Sequence, residues 1–244
     1  MFASRYGQKS AVRLLLERGA DIEGETAVPK WTSLHRACAN GHYTTAEYLL
    51  SANEKLINHQ DAGGNTPLMV ATGYSKLVST LIRRGANLEL EDGEGKNALW
   101  TAAFNGAGEA IKVLTHSKEG RAIWILDRRI KHNEQMMTPL MVAANYGHVL
   151  AVRALLKAKA NVLHTVQRVG SEPGHMENDV LCLAVKAGHM ELVQLLLAAG
   201  VMTRIEEATQ IATDDHNNEM VRESCLEPSS KLPLAFLEPS WKLL

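Results

Sequence analysis

The residues best suited to chemistry in this sequence are its ten histidines and three cysteines, and their spacing decides which chemistry is open to them. A zinc site on one helix needs two histidines four residues apart, and a zinc ribbon needs Cys-x-x-Cys pairs. Neither pattern occurs. Asp214-Asp215-His216 places three metal-binding side chains in a row, but such a charged run is more commonly a hydrated helix end. We therefore expect no metal site.

Gly93-Glu94-Gly95-Lys96 is the segment that most resembles a phosphate-binding loop. Its glycines and lysine are the right residue types, but a phosphate loop requires Gly-x4-Gly-Lys-Ser/Thr, which this segment does not complete. No nucleophile stands at a traceable spacing from a general base. The sequence therefore predicts a protein that is not an enzyme, with no catalytic residue, no cofactor and no small-molecule substrate.

Composition narrows the class of partner. The chain has 244 residues and a formal net charge of -1, so it has no bulk attraction for nucleic acid or an anionic membrane. No apolar run approaches the roughly 20 residues of a membrane-spanning helix, and the first residues lack the apolar run of a signal peptide. Cys38, Cys182 and Cys225 are odd in number and far apart, which favours packing roles for free thiols in a reducing compartment. We expect a monomeric protein of the cytoplasm or nucleus, without membrane insertion.

A six-residue phrase recurs along the chain. The form Thr-Pro-Leu-Met-Val-Ala occurs twice, and three variants share its apolar positions. The five copies begin at Thr32, Thr66, Asn97, Thr138 and Asp179. The steps between them are 34, 31, 41 and 41 residues. Self-similarity at such a period predicts a solenoid, in which each unit covers the apolar faces of its neighbours.

Each phrase has the features of a helix start. Threonine or aspartate opens four of the copies and can cap the first N–H groups, and Pro67 and Pro139 then occupy the first helical position. Leu34 and Ala37 lie three residues apart and so share one face. Gly41-His42 ends that helix, because glycine adopts the left-handed conformation of a tight turn. A second helix ending in paired leucines and a β-turn segment complete each unit.

These features together resemble the ankyrin repeat. The resemblance implies an all-α solenoid of stacked helix-turn-helix units with β-hairpin fingers, with about five recognisable repeats, a truncated first one and a degenerate last one. We expect the ankyrin-repeat domain to span residues 1–225. The proline-containing tail at 226–244 is expected to be flexible. The resemblance also implies that His35 braces adjacent hairpins.

The repeat departs from its period in two ways. The units beginning at Thr66 and Asn97 are two residues and one residue short, which predicts compressed ends of their first helices. Two insertions of about eight residues fall within 115–137 and 163–178. The first predicts either a lengthened finger that grips a partner or a longer outer helix followed by a loop. For the second, which is polar, the loop is the favoured interpretation.

The resemblance implies a non-catalytic scaffold or adaptor for protein–protein interaction. Partners of this family bind across finger tips and the exposed, concave side of the first helices. The alternative is the substrate-recognition arm of a larger enzyme or of a ubiquitin-ligase assembly. By position in the repeat, the candidate binding residues are Trp31, Asn40, Asn65, Lys96, Phe104, Asn105, Trp124, Arg128, Arg129, Lys131, Asn145, Tyr146 and Lys186.

The aromatic and basic candidates allow two interpretations each. Tryptophan, tyrosine and arginine are common energetic anchors of interfaces, but each aromatic ring is equally compatible with burial. Trp31 and Phe104 would then pack between fingers, and Trp124 would cover the core beneath its insertion. The basic run Arg128-Arg129-Ile130-Lys131-His132 predicts an acidic or phosphorylated peptide partner. A solvated finger explains the same charges.

Overall fold

The computed structural model describes residues 1–116, 125–133, 135–168, 178–201 and 208. These residues form six pairs of helices, each with an inner and an outer member. The inner helices are α1 (Phe2–Arg5), α3 (Ser33–Ala39), α5 (Pro67–Val70), α7 (Ala98–Phe104), α9 (Pro139–Asn145) and α11 (Val180–Lys186). The outer helices are α2 (Lys9–Glu17), α4 (Tyr43–Ala52), α6 (Ser75–Arg83), α8 (Gly108–Thr115), α10 (Val149–Lys157) and α12 (Met190–Ala198). A short 3-10 helix at Glu54–Asn58 follows α4.

Side-chain caps fix where five inner helices begin. Each cap oxygen accepts a hydrogen bond from the backbone N–H three residues further on. The caps are Thr32, Thr66, Asn97, Thr138 and Asp179. Pro67 and Pro139 occupy the first helical positions of α5 and α9. The predicted helix starts are confirmed, because capping is local chemistry that the repeated phrase carries itself.

The helices stack in two rows. Each inner helix packs against the next inner helix, and each outer helix against the next outer helix. One continuous core runs through the stack from Val12 to Ala208. Cys38 and Cys182 lie buried in this core without a disulfide bond, which confirms their packing role. Burial raises the pKa of the Cys38 thiol.

Two consecutive fingers join in a small antiparallel sheet. Strands β1 (Ile130–His132) and β2 (Gln135–Met137) form a hairpin with Lys131 opposite Met136. Strand β3 (Gln167–Arg168), from the following finger, pairs with the other edge of β2. The described part of the first insertion is therefore a lengthened finger. Residues 117–124 and 169–177 lie outside the described residues.

The irregular units differ in how their inner helices end. Helix α5 has four residues where α3 has seven, as the compressed spacing predicts. The same expectation is wrong for α7, which also has seven residues and is followed, after Asn105, by Gly106 in the left-handed conformation (φ 68°). Helix α1 is the four-residue fragment expected of a truncated first unit. The degenerate last repeat, apart from Ala208, and the tail 226–244 lie outside the described residues.

Candidate functional site

Aromatic or imidazole rings close four junctions between successive units. In each, the residue directly before an outer helix lays its ring on the glycine that ends the preceding inner helix. The pairs are His42 on Gly7, Tyr74 on Gly41, His148 on Gly106 and His189 on Gly147. A Cβ atom added to any of these glycines would lie 2.5 to 2.7 Å from a ring atom. These four glycines have the left-handed backbone conformation, and a ring covers the space that a Cβ atom would need, so only glycine fits.

The three histidines in these junctions also satisfy helix ends. The Nε2 atom of His42 lies 2.8 Å from the carbonyl oxygen of Arg5, and that of His148 lies 2.9 Å from the carbonyl of Phe104. His189 repeats the contact with the carbonyl of Asn145 at 3.2 Å. Carbonyl oxygens at a helix end lack partners within the helix, and the imidazole N–H supplies one. The Gly-His turns are therefore structural.

The junction between α5 and α7 has no such ring. Ala107 stands directly before α8, where His42 and His148 stand before α4 and α10. A Cβ atom added to Gly73, the glycine of this junction, would meet nothing within 4 Å. Because α5 is also short, an open groove of about 500 Å³ remains, which we call the α5 groove. It is lined by Ala39, Asn65, Met69, Val70, Thr72, Gly73, Tyr74, Thr101, Asn105 and Ala107.

The lining of the α5 groove carries no charged side chain. Met69 and Thr72 are buried, whereas Tyr74 is 43% exposed. The amide Nδ2 of Asn105 donates to the hydroxyl of Thr72 at 3.4 Å. The groove therefore combines an apolar surface with amide and hydroxyl groups, which suits an uncharged side chain flanked by peptide backbone.

On its other side α7 carries a cluster of rings, which we call the aromatic cluster: Trp100, Phe104, His132 and Tyr146. The rings of Trp100 and Phe104 are stacked with centroids 5.5 Å apart, and Tyr146 meets Phe104 edge-on at 5.0 Å. The lengthened finger brings His132 to 5.2 Å from Trp100, and its Nε2 atom lies 3.0 Å from the Tyr146 hydroxyl. Trp100 is buried, whereas Tyr146 is 40% exposed.

Charges border the aromatic cluster on one side. The ammonium of Lys96 lies 5.0 Å from the centroid of the Trp100 ring and 2.6 Å from a carboxylate oxygen of Glu94. Burial, and then the positive charge of Lys96, lower the pKa of His132, while Glu94 opposes them. The imidazole of His132 is therefore mainly neutral at pH 7.

The fingers use their candidate residues in contacts with one another. The indole N–H of Trp31 donates to the carboxylate of Asp61 at 2.8 Å, and the Trp31 ring stacks on His35 at 6.1 Å. Burial acts to raise the pKa of Asp61, but hydrogen bonds from Asn65, Trp31 and Gly63 outweigh it and lower that pKa. For Trp31, the structure therefore shows packing between fingers.

His35 has the bracing role that the resemblance implies. Its Nε2 atom lies 3.1 Å from the carbonyl oxygen of Asn65 in the next finger, and its Nδ1 atom lies 2.9 Å from the Thr32 hydroxyl. A carbonyl only accepts, so Nε2 carries the proton and Nδ1 accepts from the hydroxyl. Burial lowers the pKa of His35, and this keeps the ring neutral.

The arginines of the basic run also have partners within the chain. Arg128 forms an ion pair with Glu91 of the preceding finger. The guanidinium of Arg129 lies 3.1 Å from Nδ1 of His164 in the following finger. The lengthened finger is thus held to both of its neighbours by contacts of its own.

The described ranges contain neither a metal-binding cluster nor a membrane-spanning helix. In them, no group of three or more histidine, cysteine, aspartate or glutamate side chains is placed to hold a metal ion. No helix in the same ranges is long and apolar enough to cross a membrane.

Comparison with known proteins decides the family. A family model for ankyrin repeats, three copies long, matches four overlapping stretches of the chain, 1–92, 52–127, 72–166 and 124–206. The chain belongs to the ankyrin-repeat family. Ankyrin repeats are in general protein–protein interaction modules.

Relatives share the repeats but are far longer than this ankyrin-repeat chain. The ankyrin repeat and KH domain-containing protein mask-1 of Caenorhabditis elegans is 30% identical over 218 residues, which cover 86% of this chain and 7% of that protein. Human Rabankyrin-5 is 26% identical over 202 residues, covering 80% and 15%. The E3 ubiquitin-protein ligase KEG of Arabidopsis thaliana is 25% identical over 256 residues, covering 89% and 15%. The chain thus spans less than a fifth of the length of each.

A solved structure supports the fold. The ankyrin repeat domain of human ASB11 superposes with a TM-score of 0.71, covering 95% of this chain and 97% of that one. Its sequence is 22% identical, so the likeness concerns the arrangement of the repeats.

The ankyrin fold brings some of the sequence-predicted residues together and leaves others apart. Asn65 and Asn105 line the α5 groove, and Lys96, Phe104 and Tyr146 meet at the aromatic cluster. The others lie beside these sites, on the fingers, at the far end of the stack or outside the described residues. Asn40 follows the groove residue Ala39 and donates a hydrogen bond to the Arg36 carbonyl. The side chains of Trp31, Arg128 and Arg129 contact neighbouring fingers, and Lys131 lies on β1. Asn145 and Lys186 are the last residues of α9 and α11, and Trp124 is outside the described residues.

Sequence reasoning missed three residues of this face. Trp100 has the position in the unit beginning at Asn97 that His35 has in the unit beginning at Thr32. An aromatic ring at this repeated position was the signal that could have identified it. His132 was counted as part of a charged run, and only the hairpin register reveals its contact with Tyr146. Ala107 in place of the repeated histidine was the signal for the open junction.

Proposed function

We propose that this ankyrin-repeat chain is a non-catalytic adaptor that binds a segment of another protein across both sides of α7. The observation that carries the proposal is the pairing of an uncharged open groove with a half-exposed aromatic cluster on one helix. Exposed tyrosine supplies apolar area and a hydroxyl at low entropic cost, and it is a common anchor of interfaces. The Nδ2 groups of Asn65 and Asn105 donate to Asp61 and Thr72, so their side-chain amide oxygens are the groups that can accept from the backbone N–H of an extended segment.

The charge of the partner is a separate proposal. An acidic or phosphorylated segment would need the cations of the lengthened finger, where Arg128 is paired with Glu91 and Arg129 with His164. Such a segment must therefore compete with partners inside the chain. We propose that the uncharged groove is the principal anchor, and that an acidic residue of the ligand adds affinity by reaching Arg128.

We make two alternative proposals about the assembly in which the chain acts. We propose a monomer that acts in the cytoplasm or nucleus, in keeping with the reduced, buried Cys38 and Cys182. The second candidate is the recognition arm of a larger enzyme, because one relative is named an E3 ubiquitin-protein ligase and the aligned region is 15% of it. In that case the same face of α7 receives the substrate of the enzyme.

The test is differential capture from cell extract with quantitative mass spectrometry. Asn105→Arg places a long charged side chain at the exposed edge of the groove, and we expect it to remove the specifically captured proteins. Gln194→Arg adds the same side chain to an exposed position of α12 and serves as the matched control. If Asn105→Arg retains every partner and an Arg128→Ala, Arg129→Ala double variant loses them, the binding site lies on the fingers instead.

A further inference from the structure

We propose that the α5 groove is a socket for one planar ring, aromatic or imidazole, carried by the bound segment. The ring takes the place that the chain's own ring occupies at the closed junctions. This inference rests on the proposed binding function and specifies the residue that the partner must supply.

The closed junctions define what this position accepts. A ring from the next unit lies against the glycine at the end of an inner helix at Gly7, Gly41, Gly106 and Gly147. Three of these rings are imidazoles and one is a phenol, so both ring types are compatible with the surroundings. Each ring covers helix-end backbone that is otherwise open to water, and the histidines add a hydrogen bond to a carbonyl.

At the open junction the backbone just before the outer helix keeps the conformation seen at the closed junctions, although α5 is short and Gly73 is not left-handed. Ala107 has φ −78° and ψ 67°, and His148, at the same position one unit later, has φ −80° and ψ 77°. A histidine at 107 would therefore project as His148 does, toward the turn at Gly73. The space there is open, because a Cβ atom on Gly73 has no neighbour within 4 Å. The α5 groove thus lies where the other junctions of the repeat hold a ring.

The walls of the socket favour a ring over other side chains. Ala39, Met69 and Val70 provide apolar contact, and the half-exposed ring of Tyr74 stands at one wall, where an incoming ring can stack on it. Thr101 and Asn105 also line the groove, and their side-chain oxygens can accept a hydrogen bond from the O–H or N–H group of a tyrosine, histidine or tryptophan ring. A charged side chain finds no counter-ion among the lining residues, and burial of an unpaired charge is costly.

The test is a selection of random peptides displayed on phage against the folded chain. We expect the enriched peptides to share one aromatic or histidine residue. Replacing that residue by leucine should weaken binding by about tenfold or more, the range of an interface anchor. Ala107→His supplies the missing ring from the chain itself and should abolish binding, whereas Ala198→His adds a histidine to an exposed position of α12 and should not.

Each outcome has one meaning. Peptides that bind Ala107→His as tightly as the wild type, or that keep their affinity when leucine replaces the ring, overturn the socket but leave the binding face in place. A selection that yields nothing above an unrelated control protein overturns both proposals. If circular dichroism shows that Ala107→His is unfolded, Asn105→Arg serves as the blocking variant. Shifts of the Gly73 and Ala107 amide signals with p-cresol, and none with isobutanol, then test ring preference directly.

Discussion

The two sides of α7 share one helix and one repeat, yet one is closed and the other is open. Toward α9, His148 covers Gly106 and the rings of Phe104, Tyr146 and His132 fill the remaining space. Toward α5, Ala107 supplies no ring. The backbone before the outer helix is nearly the same on both sides, so the two sides differ in the side chain at that position and in the end of the facing inner helix, which is short in α5. We therefore propose that, in a repeat array, a binding site arises where a structural side chain is left out.

The largest effect is expected from alanine at Gly106, with alanine at Gly73 as the comparison. Gly106 is left-handed, and a Cβ atom there would lie 2.7 Å from the His148 ring, so Gly106→Ala should lower the free energy of unfolding by about 2–4 kcal/mol. Gly73→Ala has room and should change it by less than about 0.5 kcal/mol. Urea denaturation followed by circular dichroism measures both. An equal loss at Gly73 would contradict the open junction.

Removing the ring from the closed side should lower the free energy of unfolding by less than Gly106→Ala does. His148→Ala removes the hydrogen bond to the Phe104 carbonyl and the ring that covers Gly106, with an expected loss of about 1–3 kcal/mol. The exposed His116, at the end of α8, is the matched control, and His116→Ala should have little effect. A small loss at His148 would mean that the ring merely occupies space. The vacancy at Ala107 would then have no energetic significance.

Lowering the pH should protonate His132 on the closed side of α7, whereas the lining of the α5 groove has no side chain that becomes charged. Burial and Lys96 lower the pKa of His132, so the unfolded chain takes up this proton at a higher pH than the folded chain. The stability from neutral His132 is therefore complete above about pH 6.5 and is lost as the pH falls through the folded pKa. Glu94 opposes the shift, and the Tyr146 hydroxyl is the neutral partner of the ring.

We therefore expect the wild type to lose more stability than His132→Gln when the pH is lowered from 7.5 to 5. Burial also lowers the pKa of His35, so the effect must be measured as a difference between wild type and His132→Gln. Urea midpoints at the two pH values give that difference, and proton NMR follows the His132 ring. A His132 signal that titrates above pH 6.5 would show that the ring is not held neutral by its surroundings.

The fold was predictable because its determinants are local. Thr66 and Pro67 begin a helix by their own hydrogen-bonding and backbone preferences, and the repeat then places Asn105 and Tyr146 at the inner-helix ends. The contact of His132 with Tyr146 was not predictable, since it depends on the register of a hairpin inside an irregular insertion. The open junction needed the knowledge that a ring normally fills that space, which only the packed structure supplies.

The smallest effect is expected at the ion pair between fingers on the closed side. Arg128 and Glu91 are 51% and 28% exposed, so solvent screens their attraction. A double-mutant cycle with Arg128→Gln and Glu91→Gln should give a coupling below about 1 kcal/mol that falls further in 0.5 M salt, because such concentrations screen exposed charges. A larger, salt-resistant coupling would mean that the fingers, rather than the rings, hold the closed side together.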